Sequence, residues 1–345
     1  MLANTTVPAT PATPNVRRYA CPQCGGKMAY NAAKRALTCD YCGQRLSEFQ
    51  AIQQGALVRE QDFTAMLPTA KAHRWELATL HTLKCEGCGA AFTLPPTQLS
   101  GACPFCGSAH LAQTPAGGDL IQPEGVLPFQ FDAEAARQFV LKWINDLKFR
   151  PGDLDERAAV SLPHGLYLPC WTFDLGGPLK WHALIGEQRG RQTVWTPRAD
   201  LYLAYHDDLI VPASHTVAKD LLDDVLKFDT KALRPYSIDW LADQAVEIYQ
   251  VALADASLVA RQRALNVARE YVLHHTLAGE QVKDFQINSL GLIVESYKLA
   301  LLPVWLTAYR YKNANYAVAV NGQTGQVAGQ APRSGFQKAL AGLFG

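Results

Sequence analysis

The pattern of apolar and polar positions changes its period twice along this chain. Residues 1–16 (MLANTTVPATPATPNV) show neither helical nor strand periodicity, and their Thr/Pro/Ala content predicts a disordered lead. Short alternating runs follow. Lys27–Tyr30 and Arg35–Thr38 predict a hairpin across Asn31–Lys34, and Ala91–Leu94 predicts another that returns through Leu99–Ala102 after Pro95-Pro96. Between them, Ser47–His81 is Gln/Ala-rich with a helical stretch near Ala70–Leu80. The Pro/Gly-rich segment Gln113–Gly125 marks a boundary.

From Val126 onward the runs lengthen. Asp132 stands where it can cap a helix whose apolar stripe is Ala136, Phe139, Val140, Trp143, Ile144 and Leu147. Leu166–Gly186 alternates on both sides of Gly176-Gly177-Pro178, a hairpin signature. Its echo is Leu301–Gly322. Both begin Leu-Pro-x-Trp, 134 residues apart, which predicts two similar hairpins, neighbours or pseudo-symmetry mates. Val194–Ala204 and Leu209–Val211 flank a His206-Asp207-Asp208 turn. His215–Phe228 and Gln244–Thr276 have helical period, Val282–Ser289 and Leu292–Leu299 read as strands, and Asn321–Gly325 reads as a tight turn into Gln326–Gly329. Strands and helices in this order predict an α+β domain with a largely antiparallel sheet.

The cysteines change the picture at the front. Cys21, Cys24, Cys39 and Cys42 recur as Cys85, Cys88, Cys103 and Cys106 at a constant offset of 64 residues, each set C-x2-C-x14-C-x2-C, each pair followed by Gly. A Cys-x-x-Cys turn aims two thiolates at one point, and two turns brought together complete a closed tetrahedral site of four sulfurs. The pattern predicts two structural Zn²⁺ ions, with iron the chemically open alternative. A redox pair needs one Cys-x-x-Cys in a βαβ setting, which the sequence does not offer. The chain therefore divides into a lead (1–16), zinc ribbon 1 (17–46), a partly helical linker (47–81), zinc ribbon 2 (82–112), a linker (113–125), the α+β domain (126–332) and an amphipathic tail (333–345), in which Phe336, Leu340, Leu343 and Phe344 share a helical face.

Charge bears on whether the ribbons bind nucleic acid. Lys plus Arg (32) and Asp plus Glu (31) nearly cancel, so no global field draws the chain to nucleic acid. Locally, Arg17, Arg18, Lys27, Lys34, Arg35 and Arg45 face only Asp40, with Tyr19, Tyr30 and Tyr41 interleaved as stacking platforms. Metal loading subtracts two charges from each site, leaving a modest patch on ribbon 1 and a negative sum on ribbon 2. Recognition of a protein partner is the leading expectation. Nucleic-acid binding through Arg17, Arg18, Lys27, Lys34, Arg35, Arg45, Tyr30 and Tyr41 is the alternative.

Leu168-Pro169-Cys170-Trp171, Asp207–Ser214, Leu233-Arg234-Pro235-Tyr236, Leu302-Pro303-Val304-Trp305 and Val320–Gly325 carry a resemblance. Together with the ribbons they make the chain similar to bacterial TFIIB-type zinc-ribbon-containing proteins, often labelled primosomal protein N′ or helicase-like. The helicase label fails, because no G-x-x-x-x-G-K-[ST] occurs to cradle phosphates. The resemblance implies a membrane-stress assembly with band-7 (SPFH) or phage-shock-type scaffolds as partners, and a peripheral inner-membrane position through those partners or the tail. With no apolar secretory segment and no apolar run long enough to span a bilayer, the expected location is the cytoplasm.

No catalytic residue is expected. Cys170, with His164 and His182 near it in sequence, reads as core packing between Pro169 and Trp171. His206-Asp207-Asp208 reads as a solvated turn, and Ser214-His215 and His274-His275 match no catalytic signature.

Overall fold

The computed structural model describes residues 23–24, 28–31, 36–39, 41–45, 60–63, 75, 81–94, 103–105, 108–114, 120–148, 151–154, 158–217, 219–241, 244–312 and 314–332. The expected lead, the return run Leu99–Ala102 and the tail lie outside them, as does the helix near Ala70–Leu80 save Trp75.

Strands β1 (Met28–Asn31) and β2 (Ala36–Cys39) form a two-stranded antiparallel sheet of their own. All later strands join one sheet of fourteen: β3 (Gln61–Asp62), β4 (His81–Cys85), β5 (Ala91–Leu94), β6 (Leu111–Gln113), β7 (Gly125–Val126), β8 (Ala159–Val160), β9 (His164–Arg189), β10 (Gln192–Pro212), β11 (Arg234–Pro235), β12 (Ala245–Glu247), β13 (Gln281–Ile287), β14 (Ile293–Tyr311), β15 (Ala314–Asn321) and β16 (Val327–Gly329). Its spine runs β11-β7-β14-β9-β12-β5-β4-β6. Among the described residues only β7 with β14 and β12 with β9 pair in parallel, so the sheet is largely antiparallel. The α-helices among the described residues are α1 (Ala133–Asp146), α2 (Lys219–Val225) and α3 (Leu253–Tyr271).

The centre of the sheet has a pseudo-twofold axis. Leu168 of β9 pairs with Leu302 of β14, the same position of the two Leu-Pro-x-Trp phrases. On either side the parallel neighbours correspond as well: β12 meets Leu166 and Tyr167, and β7 meets Ala300 and Leu301. Both flanking strands lead into a helix, α1 after β7 and α3 after β12, each starting eight residues beyond its strand's first residue. Directly opposed residues in an antiparallel pair point to one face. Tyr167, Leu301 and Trp305 accordingly lie under α1, while Trp171, Phe173, Tyr297 and Leu299 lie under α3. Leu168, Cys170, Leu302 and Val304 look to the other face, which α2 and the second cysteine region cover.

Local causes account for the helices. Asp132 caps α1, its carboxylate accepting from the Ala135 amide at 2.9 Å. Of the expected stripe Ala136, Val140 and Ile144 are buried, Trp143 and Leu147 partly so, and Phe139 is exposed. In α3 the buried stripe is Ala256, Ala260, Ala264 and Ala268, small residues that let the helix axis sit close to the aromatic face of the sheet. The expected helix over Gln244–Thr276 begins only at Leu253. Ala245–Glu247 is instead a strand, because β9 and β5 supply backbone partners on both sides. The helix expected over His215–Phe228 is confined to Lys219–Val225.

Two expected turns are absent. Gly176-Gly177-Pro178 does not reverse the chain, and β9 runs through it for 26 residues. The glycines serve a close approach: a Cβ on Gly177 would overlap the Gly291 carbonyl oxygen, and one on Gly176 would press on that of Ala204. The reversal falls instead at Gly190-Arg191, with Gly190 at φ +63°. His206-Asp207-Asp208 is a bulge inside β10, where the register against β9 shifts. The second expected hairpin, β14–β15, is present, and Asn321 closes it into β16. Its side-chain oxygen accepts from the Gln323 and Thr324 amides at 2.8 and 2.9 Å, and its amide donates to the carbonyls of Val225 and Lys227.

Candidate metal centres

Each cysteine region brings three thiols together. Cys24, Cys39 and Cys42 form one triad and Cys85, Cys88 and Cys103 the other, with all sulfurs of a triad within 4.8 Å of one another. Cys21 and Cys106 lie outside the described residues. The Cys24 and Cys39 sulfurs are 3.4 Å apart, and those of Cys88 and Cys103 are 3.6 Å apart. A tetrahedron of thiolates around a metal at about 2.3 Å separates its sulfurs by about 3.8 Å. Either triad can therefore hold a metal ion, and the donor set suits a soft or borderline one.

The knuckles owe this geometry to one repeated backbone loop. Cys39, Cys85 and Cys103 each donate their amide to the carbonyl five residues on, at Gln44, Ala90 and Ser108, over 2.8–2.9 Å. Gly43 and Gly89 close the loop with bonds back to Cys39 and Cys85. Both adopt positive φ, +72° and +78°, and a Cβ there would meet nothing within 4 Å. Backbone torsion, not space, makes them glycine. In the first knuckle loop the amides of Cys42 and Tyr41 point at the Cys39 sulfur. Burial opposes them, but with help from the neighbouring thiols they bring its pKa down to about 7, favouring the thiolate a metal requires.

The regions differ in their setting. Cys39 packs in the buried cluster of Trp75, Phe129 and Trp305, and among the described residues no strand of its two-stranded sheet pairs with the main sheet. The second region is bonded into the main sheet: Phe92 and Thr93 of β5 pair with Glu247 and Val246 of β12. Cys85 and Cys103 lie in the same apolar cluster as Leu168, Cys170 and Leu302.

Of the expected nucleic-acid contacts, Arg17, Arg18, Lys27, Lys34 and Arg35 lie outside the described residues. Tyr30 is on β1, Arg45 is exposed and bridges Thr38, and Tyr41 is 80% exposed at the knuckle tip.

Cys170 is fully buried, and desolvation pushes its thiol far above the usual range. His164 and His182 stand six and twelve residues from it on the same strand, roughly 20 and 40 Å away at about 3.3 Å per residue. His206 is half-buried, and burial lowers its pKa. Ser214 donates to Glu247 at 2.7 Å while His215 is exposed. His274 pairs with Glu270 one turn earlier.

Two buried polar groupings escaped the sequence reading. In one, Lys298 lies between Asp208 at 2.6 Å and Glu60 at 3.0 Å, and Ser296 bridges Glu60 and Asp174. Desolvation pulls the ammonium pKa down, but the two carboxylates outweigh it and hold it above the ordinary value. In the other, Glu247 accepts from Ser214, Thr216 and Gln250, and burial pushes its carboxyl up to about 7. The available signal was a charged residue inside an apolar strand run: Asp174 in WTFDL, Glu247 in AVEIY, Lys298 in SYKLA.

Fold and site together define a class: a largely antiparallel sheet domain that carries two cysteine clusters able to hold metal. The chain is 26% identical over 332 residues to the uncharacterized protein YdjG of Bacillus subtilis (strain 168), covering 92% of this chain and 90% of that protein. No protein-family model matches the chain, and no solved structure does. Among the described residues no helix is long and apolar enough to cross a membrane.

Proposed function

We propose that the protein is a non-enzymatic zinc-binding adaptor. Its metal sites are two four-cysteine zinc ribbons, one of Cys21, Cys24, Cys39 and Cys42, the other of Cys85, Cys88, Cys103 and Cys106. The observation that carries this reading is the pair of thiol triads on one repeated knuckle loop. Four thiolates leave no open coordination position, so such a site supports structure rather than chemistry. The TFIIB-type resemblance supports the same reading and supplies the partner class, a band-7 or phage-shock-type scaffold at the membrane face of the cytoplasm.

A second reading has one observation in its favour. Tyr41 is 80% exposed at the tip of the first cluster, with Arg45 exposed four residues on, an arrangement that could stack on and neutralise a single strand. One experiment separates the two. Protein with its metal content measured is titrated against fluorescent single- and double-stranded DNA and RNA at low and near-physiological salt. The adaptor reading expects two zinc ions per chain and no binding that survives salt. Micromolar binding at near-physiological salt, lost in an Arg17/Arg18/Lys34/Arg35→Ala variant, would replace it with the nucleic-acid reading.

A further inference from the structure

Among the described residues, strand β10 presents the longest edge with one partner only. Its counterpart β15 is covered on its outer side by β16, whereas β10 pairs only with β9 among the described residues. The direction of its backbone groups follows from the ladder. Asn288 donates to the Lys180 carbonyl, so the even residues of outer β9 face β13, and its odd residues face β10. Their partners on β10 are the even ones, His206 against Leu175 through Gln192 against Arg189. The odd residues from Thr193 to Tyr205 therefore direct their amides and carbonyls outward. Pro197, which has no N–H, falls on this outward set, as proline in a sheet must.

The edge is closed at one end. Beyond the bulge the alternation reverses, so the Ile210 carbonyl points outward, and Arg263 of α3 donates to it at 2.8 Å while pairing with Asp223 of α2. What stays open among the described residues is Thr193–Tyr205, whose midpoint is Ala199 and in which the Leu201 amide alone has a bond, to the Asp200 carboxylate at 2.7 Å. Its side chains on the helix-free face are apolar and uncovered: Trp195, Leu201 (50% exposed), Leu203 (70%) and Tyr205 (74%). On the other face α3 lies over β10, with Arg263 at Ile210 and the Tyr271 ring 5.2 Å from that of Tyr202.

We propose that β10 pairs antiparallel with β10 of a second copy, about a twofold axis at Ala199, making one sheet across a homodimer. That sheet lacks one ladder bond on each side of the axis, where Pro197 has no N–H for the Leu201 carbonyl of the second copy. Two independent features select this register. It centres on the open segment, so Thr193 meets Tyr205 of the second copy and neither strand runs into Arg263. It also places Arg198 opposite Asp200 of the second copy, twice, in non-hydrogen-bonded positions, where facing side chains come closest. Within one chain Arg198 pairs with Glu280 at 3.4 Å and Asp200 accepts the Leu201 amide at 2.7 Å, both at the exposed surface, and the dimer contact exchanges these bonds. The backbone allows neighbouring registers only with the axis moved to Arg198 or to Asp200. One sets arginine against arginine, the other aspartate against aspartate, and like charges directly opposite destabilise a pair. In the Ala199 register Leu203 lies against Trp195 of the second copy and Leu201 against Pro197. The bare apolar faces join on the helix-free side, while the two α3 helices, each fixed at its own Ile210 by Arg263, stand toward opposite ends of the seam.

The test is sedimentation equilibrium of the full metal-loaded chain from about 1 to 100 µM, on the parent and three variants. Near-ultraviolet circular dichroism checks that each variant is folded. The parent is expected to dimerise within this range. Arg198→Asp and Asp200→Arg, each creating two like-charge contacts, are expected to weaken the dimer at least tenfold. The double swap Arg198→Asp/Asp200→Arg should return it to near the parent's affinity. A parent monomeric at 100 µM would overturn the proposal and leave the edge to a strand from another protein. A dimer indifferent to the single reversals, or one the double swap fails to restore, would also overturn it. Neither result bears on zinc or nucleic-acid binding.

Discussion

The two cysteine clusters share a sequence pattern and a knuckle loop, yet they are attached differently. Among the described residues, the first stands on its own two-stranded sheet and meets the main body through side-chain packing, Cys39 included. The second is part of the main sheet, because β4, β5 and β6 continue the spine past β12. A metal in the first cluster would fold a local unit. In the second it would also secure one flank of a fourteen-stranded sheet. The same ligands can thus be a peg in one place and a keystone in the other, and the difference lies in which backbone groups find partners nearby.

The largest effect should come from breaking the second cluster. Cys103→Ser removes a buried ligand beside Phe92 and Cys85. Losing a metal from a core-linked site is expected to cost at least about 4 kcal/mol, which lowers the main melting transition by roughly 10 °C. Cys42→Ser in the first cluster should release its metal and shift that transition by less than about 2 °C. Calorimetry with metal analysis on both variants checks this, and equal shifts would end the distinction.

Next in size is the strand that makes the junction. Glu247 on β12 lies opposite Phe92, and burial raises its pKa from the ordinary 4.5 to about 7. A carboxyl whose folded pKa is raised resists ionisation only in the folded state. Stability is therefore fully present below pH 4.5 and declines as pH rises toward 7. Glu124, also raised to about 7 by burial, shares the window. Glu247→Gln should match the parent near pH 4.5 and exceed it by about 2–3 kcal/mol at pH 8. Urea unfolding of both proteins across that range measures the gap, and a gap that does not grow with pH refutes the account.

The smallest effect concerns the segment between the clusters. Trp75 donates its indole N–H to the Tyr236 hydroxyl at 2.9 Å and its amide to the Leu120 carbonyl. Tyr236→Phe should cost about 1 kcal/mol in urea midpoint experiments without releasing metal from either cluster. Loss of metal from the first cluster in this variant would mean that its attachment depends on Trp75.

How much of this could be read from the sequence follows how local each cause is. Knuckle spacing, the Asp132 cap and the Asn321 turn depend on residues a few positions apart, and all were legible. The repeated Leu-Pro-x-Trp phrase announced two related hairpins, neighbours or pseudo-symmetry mates; the strands that carry it are both, but the first does not turn where its glycines suggest. Gly176-Gly177-Pro178 looked like a turn because its reason, the backbone at Gly291, lies more than a hundred residues away. Glu247 sits in a helical-looking stretch that two distant strands pull into a sheet. The Lys298 grouping draws on residues 60, 174, 208 and 296, and nothing in sequence order joins them.

The Leu168–Leu302 pairing at the centre of the sheet also has a kinetic consequence. Bringing those residues together closes a loop of more than 130 residues, and chain entropy opposes this by about 4 kcal/mol before any contact compensates. The hairpins β9–β10 and β14–β15 turn tightly and form on a far shorter timescale. The seam between the two related halves is then the slow event, a meeting of two largely prepared pieces. Leu302→Ala should accordingly slow refolding in stopped-flow fluorescence as well as speed unfolding. An effect confined to unfolding would show that the halves join after the barrier has been crossed.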